Sequence, residues 1–184
     1  MKKFRIKSGW HYPCPLDFGG FLLRRFKKGT IYQVRAHYKF ENNCAYYIGE
    51  DQSDVNKLLG LSFGFHHNNS IRLGWRFHDG RIEICGYLYR DGIRKSTIPI
   101  TSIPIEQAEF DVRLKYNSRL GTISVELLQG DKVIGADVWQ YTYPCKGSVW
   151  SYGLGLYFGG NRTAPHDMTI IREDLKVKFL NGKS

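Results

Sequence analysis

The sequence lacks the features that mark membrane spans, cysteine-bound metals and phosphate sites. No stretch approaches the roughly 20 apolar residues that a membrane-spanning helix needs, and the basic start MKKFRIKSGWHYP is followed by no apolar signal segment. There is no C-x-x-C pair, no P-loop and no G-x-S-x-G. We therefore expect no membrane insertion, and a protein that acts in the cytoplasm or is carried on a virion surface after assembly inside the cell.

Four cysteines, Cys14, Cys44, Cys85 and Cys145, are scattered along the chain. This scatter favours reduced structural thiols over a zinc ribbon or a thioredoxin-type site. Two disulfides stay an alternative for a protein that meets an oxidising exterior.

The chain has fewer acidic than basic residues, with 17 Asp and Glu against 27 Lys and Arg and a net charge of +10. An excess of this sign favours an anionic partner: nucleic acid, an acidic polysaccharide or an acidic protein surface. The bases lie in alternating segments, which is typical of the solvated face of a sheet. Nucleic acid is the weaker candidate, because most aromatic residues share a face with aliphatic ones and RNA-stacking motifs are absent.

A two-residue period runs through almost the whole chain. In TIYQVRAHYKF (30–40) and SIRLGWRFH (70–78), apolar and polar residues alternate, and Asp-Gly pairs at 79–80 and 91–92 are typical of hairpin turns. Helical turns are predicted only near 54–59 and 104–108. With 42% hydrophobic residues, the 184 residues can bury one core. We predict an all-β chain, a jelly-roll β-sandwich of two antiparallel sheets with about a dozen strands, forming a single domain over 1–184.

Two polar loops are the candidate functional regions, FGFHHNNSIRLGW (63–75) and LYFGGNRTAPHDMTI (156–170). Because both are rich in donors and acceptors, we expect them to meet at one end of the sandwich and to bond each other. Arg72 and Arg76 share a strand face, where a guanidinium fork could recognise a carboxylate or sulfate of an acidic sugar. The predicted ligand-binding residues are His66, His67, Asn68, Asn69, Arg72, Trp75, Arg76, Asn161, His166 and Asp167.

Metal binding finds little support in these loops. Zinc needs three or more convergent ligands, and adjacent residues such as His66 and His67 point to opposite faces of an extended segment. Calcium is better matched, because Asn68, Asn69, Asp54 and Asp167 offer oxygen ligands, but no D-x-D-x-D-G pattern is present. We expect no cofactor, with calcium as the alternative.

Enzymatic motifs of sandwich folds match only in part. Glu109-Phe110-Asp111 supplies two alternating carboxylates, but Leu114 stands where the endoglucanase pattern needs a further acid. FKKGTIYQ (26–33) is similar to the YFKxGxYxQ strand of alginate lyases, yet it lies early in the chain and has no Q-I-H or Q-V-H partner, so we treat it as coincidence. We therefore expect no enzyme. The alternative is a polysaccharide-active lyase or hydrolase that uses His66, His166 or Tyr32.

Two motifs carry a resemblance to a known group of proteins. HHNNSIRLGWR (66–76) and YFGGNRTAPHD (157–167) match H-H-x-N-S-x-R-x-G-W-R and Y-F-G-G-x-x-x-A-P-H-D. This pattern resembles uncharacterised β-sandwich proteins of gut Bacteroidetes and their phages. The resemblance implies the shape of the concanavalin A-like lectin and glucanase superfamily, and it suggests carbohydrate binding or display on a phage particle.

The leading functional hypothesis is a non-catalytic β-sandwich that binds, or presents to, a surface glycan. Its specific version is an attachment or head-fibre-like decoration protein on a phage particle. The alternative is a virion structural protein with no sugar affinity. The expected partners are a glycan or capsid and other virion proteins, and a homodimer would favour particle decoration, because two-fold interfaces commonly pair such domains.

Overall fold

The fold is built from two large antiparallel sheets and a two-stranded ribbon. In the computed structural model, residues 1–95 and 97–181 are described. The seven-stranded sheet has the order β12-β11-β10-β4-β15-β1-β2, the six-stranded sheet has the order β14-β5-β6-β7-β8 with β9 also paired to β7, and β13 pairs β3. The strands are β1 Lys2–Ile6, β2 Pro13–Cys14, β3 Arg24–Phe26, β4 Thr30–Phe40, β5 Asn56–Ser62, β6 Ser70–His78, β7 Arg81–Arg90, β8 Ile93–Arg94, β9 Ile98–Pro104, β10 Glu109–Asn117, β11 Thr122–Gln129, β12 Lys132–Gln140, β13 Val149–Ser151, β14 Gly153–Leu154 and β15 Met168–Asn181.

Strand β4 shows how the alternating sequence produces this architecture. Tyr32, Tyr38 and the small apolar residues between them point inward, and Tyr32 and Tyr38 are both 0% exposed. Arg35 and Lys39 point to solvent from the opposite face. Because side chains in a strand alternate between faces, this sequence buries one face and leaves the other wet.

Strands β5, β6 and β7 form a meander that supports the site described below. The β6–β7 turn places Asp79 and Gly80 at φ 49° and 74°, and the turn after β7 places Asp91 and Gly92 at φ 52° and 78°. Two consecutive positive φ values are typical of tight hairpin turns, which favour Asp-Gly pairs. The predicted hairpins are therefore confirmed.

Trp75 lies in the core between the two sheets. Its side chain is 0% exposed, and its ring centroid lies 5.0 Å from that of Phe40, 5.9 Å from Tyr46 and 6.3 Å from Phe158. A side chain enclosed by other rings cannot contact a ligand at the surface. The prediction that Trp75 binds a ligand is therefore corrected: its place in β6 points it to the opposite face from Arg72.

The predicted all-β sandwich of two antiparallel sheets is confirmed, with fifteen strands in the described residues instead of about a dozen. The predicted helical turn at 54–59 is wrong, because Asn56 begins β5, and the turn at 104–108 is the 3-10 turn Ile105–Gln107. The described residues contain no helix with the length and apolar character needed to cross a membrane. All four cysteines are free thiols, with Cys44 and Cys85 buried.

Candidate active site

A cleft of about 930 Å³ lies on the outer face of the six-stranded sheet. Side chains of β5 to β8 form its floor, and segments 12–18 and 152–161 form its walls. Gly60 of β5 stands directly opposite Arg72 of β6. A Cβ at Gly60 would lie 2.9 Å from the Arg72 Cα and 2.3 Å from the Ile71 carbonyl oxygen, so only glycine leaves room for the arginine there.

Lys57 is a half-buried ammonium in the floor of this cleft. Its Nζ donates hydrogen bonds to the carbonyl oxygens of Val55 (2.7 Å) and Gly159 (2.9 Å), and it lies 4.8 Å and 5.7 Å from the ring centroids of Tyr87 and Tyr157. Burial, together with the smaller effect of the neighbouring Arg72 charge, lowers the pKa of Lys57 to about 8. The group is therefore poised to lose its charge at mildly alkaline pH.

Arg72 is a second cation in the floor, with only 4% of its surface exposed. Its Nε donates to the Ser70 hydroxyl (3.1 Å) and its NH2 donates to the His66 carbonyl oxygen (3.0 Å). The rings of Tyr87 and Tyr89 each lie 5.6 Å from its guanidinium. Within 1–95 and 97–181 no carboxylate forms an ion pair with Arg72, and because unpaired buried charge is costly, the position is suited to an incoming anion.

His66 and Tyr152 form a hydrogen-bonded pair at the edge of the cleft. The Nδ1 atom of His66 lies 2.7 Å from the Tyr152 hydroxyl, which also accepts a hydrogen bond from the His66 backbone N–H (3.3 Å). Burial, together with the smaller effect of the Arg72 charge, lowers the pKa of His66 to about 4. His66 is therefore neutral at neutral pH and can accept a proton.

The structure brings four of the predicted site residues to the cleft: His66, His67, Arg72 and Asn161. The ring of His67 stacks on Tyr89 with centroids 5.5 Å apart, which fixes one wall beside Arg72. Arg94 completes the cationic lining from β8. His66 and His67 lie in the loop between β5 and β6, Arg72 lies on β6, and Asn161 lies in the wall segment 152–161.

The remaining predicted site residues have partners elsewhere. Asn68 and Asn69 accept backbone hydrogen bonds from the Asp91-Gly92 turn, and Arg76 forms an ion pair with Glu83 at 2.6 Å. The carbonyl oxygen of Asn43 accepts a hydrogen bond from His166, and Asp167 accepts one from the Ser8 N–H and pairs with Arg5. Among the described residues, the two polar loops form hydrogen bonds with different segments and none with each other, because they flank opposite ends of β5.

Neither metal considered from the sequence finds an assembled site. In the described ranges, no three His, Cys, Asp or Glu side chains converge to hold an ion. The four candidate calcium ligands lie in three separate places: Asp54 lines the cleft, Asp167 lies against Ser8, and Asn68 and Asn69 both bond to the Asp91-Gly92 turn.

Sequence reasoning missed Lys57, Tyr87, Tyr89 and Tyr152. Lys57 fell in a segment interpreted as a helical turn, so its place on a sheet face was not seen. Tyr87 and Tyr89 alternate in RIEICGYLYR, and that spacing could have placed both on the same face as the cleft. Tyr152 has no local signal, because its partner His66 is 86 residues away in the chain.

A buried ion pair braces the wall of the cleft. The carboxylate of Asp17 accepts two hydrogen bonds from the Arg172 guanidinium, at 2.7 and 2.8 Å, and a third from the Leu156 N–H at 2.9 Å. The two charged side chains are 2% and 5% exposed. Asp17 therefore ties the N-terminal segment and the wall around Leu156 to strand β15.

Replacing Asp17 with alanine is expected to lower the free energy of unfolding by about 3–5 kcal/mol, because it leaves the Arg172 charge buried and unpaired. Urea denaturation of the purified variant measures this change. Asp131→Ala, at an exposed turn, is the matched control and should change stability little. Equal stabilities for the two variants would show that the brace does not hold the wall.

Comparisons with known proteins find likeness in structure but not in sequence. No family model matches the chain, and neither does any curated protein. The solved structures include alginate lyases from Klebsiella pneumoniae (TM-score 0.62, 12% identity, 80% of this chain and 59% of that chain) and Pseudomonas aeruginosa (TM-score 0.57, 16% identity, 82% and 65%). Alginate lyase A1-II', of polysaccharide lyase family 7, also matches (TM-score 0.55, 10% identity, 97% and 94%). This chain spans less than two thirds of the length of the first two lyases.

These similarities confirm the jelly-roll fold. They contradict the expectation that the chain is not an enzyme, because several structural neighbours with this fold are alginate lyases. At these identities the likeness shows the fold and not the reaction. Tyr32, in the segment that is similar to a lyase strand, is 0% exposed in the core and does not reach the cleft.

Proposed function

We propose that this protein is a polysaccharide lyase that cleaves an acidic, uronate-containing glycan by β-elimination in the cleft. The observation that carries the proposal is the 2.7 Å contact between His66 Nδ1 and the Tyr152 hydroxyl beside the buried, unpaired Arg72. A proton-transfer pair next to a fixed cation is the arrangement that removal of a proton from the carbon beside a carboxylate requires.

The charge of the cleft supports an anionic substrate. Lys57, Arg72 and Arg94 line it, while one of its two aspartates, Asp17, is already paired with Arg172. A guanidinium and an ammonium that bind the uronate carboxylate would stabilise the negative charge that develops there when the neighbouring proton leaves. The tyrosine rings around these cations offer apolar surface for the sugar faces.

The proton path follows from the observed hydrogen bond. His66, with Nδ1 protonated and bonded to Tyr152, accepts the C5 proton of the uronate at Nε2. The electron pair left at C5 forms the C4–C5 double bond, the C4–O4 bond breaks, and the Tyr152 hydroxyl protonates the departing oxygen. His66 then returns a proton from Nδ1 to the tyrosinate, which leaves the imidazole neutral and protonated at Nε2. Loss of the Nε2 proton to water and uptake of a proton at Nδ1 reset the pair for the next turnover.

A solved neighbour lends support to this assignment. One alginate lyase A1-II' structure is a variant in which a histidine and a tyrosine are replaced, in complex with substrate (TM-score 0.54, 9% identity). His66 and Tyr152 supply the same two side-chain types in the cleft of this chain.

The test is the ultraviolet absorbance of the new C4–C5 double bond when the purified protein is incubated with polyuronates. Neutral glucans and sulfated glycans without uronate serve as controls. Absorbance that rises with polyuronate alone supports the proposal. No rise on any uronate-containing polymer across the pH range 4 to 9 would overturn it.

The pH profile of kcat/KM is expected to be bell-shaped, with an acid limb near pH 4 and an alkaline limb near pH 8. His66 must be neutral to accept a proton, and its lowered pKa keeps it neutral down to about 4. Lys57 must be charged to bind a carboxylate, and its lowered pKa removes that charge above about 8. Initial rates in constant-ionic-strength buffers measure both limbs. An acid limb at the ordinary histidine value would contradict the role of the buried His66.

A further inference from the structure

The outer face of the seven-stranded sheet carries like charges directly opposite one another on adjacent strands. In one row Arg113 of β10 stands opposite Arg35 of β4, and Arg35 stands opposite Lys176 of β15. The next row, two residues along, consists of Lys115, Gln33 and Lys178. Like charges in cross-strand pairs destabilise a sheet, so these rows lower the stability of the fold.

The same face pairs its charges a short distance away. Lys39 bonds to Glu109 at 2.6 Å, and His37 bridges Asp111 and Glu109 at 3.0 and 3.1 Å. In the described part of the chain, Arg35, Lys115, Lys176 and Lys178 have no such acidic partner, and Arg113 has only a loose contact with Glu126 at 3.6 Å. The two rows therefore differ from the neighbouring part of the same face, where each charged side chain has an oppositely charged partner.

A shallow depression of about 220 Å³ opens among these rows. It is lined by Arg35, Arg113, Lys115, Gln33, Ser124 and Glu126. Apart from the Glu126 carboxylate, which lies 3.6 Å from Arg113, these side chains offer guanidinium, ammonium, amide and hydroxyl donors, the set that binds carboxylates or other oxyanions. The depression lies on the face of the molecule opposite the cleft.

The spacing favours a linear acidic polysaccharide over a nucleic acid. Neighbouring strands lie about 4.8 Å apart, so a row across three strands offers cations at nearly the interval that pyranose units add to an extended chain. A flat sheet face enters neither groove of a duplex, and these rows include no aromatic ring on which single-stranded bases could stack.

We propose that Arg35, Arg113, Lys115, Lys176 and Lys178 form a second, non-catalytic binding surface for an acidic polysaccharide chain. This cationic surface would hold a long polymer near the molecule while the cleft cuts it. The choice of a polyuronate as its ligand rests on the proposed function, whereas the surface itself rests on the strand register and the unpaired cations.

Affinity electrophoresis through gels that contain long polyuronate tests this surface. The double variant Arg35→Gln/Lys176→Gln is expected to bind about fivefold more weakly, because it removes two exposed cation–carboxylate contacts. Lys39→Gln, which removes a charge of the same sign from the same face, is the matched control and should bind as the native protein does. Cleavage of a short oligouronate that fits the cleft should be unchanged in the double variant.

Three outcomes would contradict the proposed cationic surface. The double variant and the control could be retained equally by the polyuronate gel, or the native protein could bind duplex DNA or anionic vesicles more strongly than it binds polyuronate. Electrophoresis measures binding and not cleavage, so a failure of the binding surface can be distinguished from a failure of the lyase reaction. If the native protein binds through these rows but produces no unsaturated uronate, the proposed cationic surface would be supported and the proposed lyase reaction would be contradicted.

Discussion

Replacing His66 with alanine is expected to lower kcat on a polyuronate by about 10²–10⁴-fold, the usual contribution of a positioned proton-transfer group. Tyr152→Phe, which keeps the ring and removes only the hydroxyl, should lower kcat in the same range. The double variant should be little slower than either single variant, because the two groups act as one unit.

The matched control for these variants is His78→Ala, at the exposed end of β6 and outside the cleft. All three single variants should unfold at nearly the native temperature, since neither hydroxyl nor imidazole belongs to the core. Unchanged kcat in Tyr152→Phe would show that the observed hydrogen bond has no part in the reaction. An additive loss in the double variant would separate the roles of His66 and Tyr152.

Replacing Trp75 with alanine is expected to lower the free energy of unfolding by about 3–5 kcal/mol. The loss arises because a fully buried ring that contacts Phe40, Tyr46 and Phe158 is replaced by a cavity between the two sheets. Urea denaturation measures this change. The predicted effect is on stability, so any residual folded protein should bind glycan as the native protein does.

Trp150→Ala supplies the control for this substitution. Its ring is 52% exposed and stacks on Arg25, so its removal should cost far less. If Trp75→Ala proved as stable as Trp150→Ala but lost glycan binding, Trp75 would be a ligand contact, as the sequence first indicated.

Local patterns made much of the fold predictable. The segments TIYQVRAHYKF and SIRLGWRFH coincide with β4 and β6, because alternation over nine or more residues leaves one face to bury. The Asp-Gly turns were predictable because their chemistry is confined to two residues. Strand β5 was not, since NKLLGLS is a nearly continuous apolar run in which the period is lost.

The site was only partly predictable, because its partners are distant in the chain. The sequence singled out His66 and Arg72 by their clustering, but it gave them the wrong neighbours. Tyr152 reaches His66, and the Gly159 carbonyl reaches Lys57 across 102 residues, through strand pairing that no local pattern specifies. The expected hydrogen bonds between the two polar loops are not found among the described residues for the same reason, although both loops line the cleft.

The phage-particle hypothesis came from the motifs at 66–76 and 157–167, and it stays a prediction. In the structure those motifs hold both cleft residues, such as Arg72, and core residues, such as Trp75. A lyase carried on a particle would be compatible with both the motifs and the cleft.

The central claim is that the cleft breaks a uronate polymer by elimination. Mass spectrometry of the products from a defined oligouronate tests it most directly. The account predicts pairs of fragments in which one carries an unsaturated end and together they equal the mass of the starting chain. Fragments whose summed mass is greater by one water would show hydrolysis, and intact oligouronate after prolonged incubation with stoichiometric protein would show no cleavage. Either result would contradict the proposed reaction.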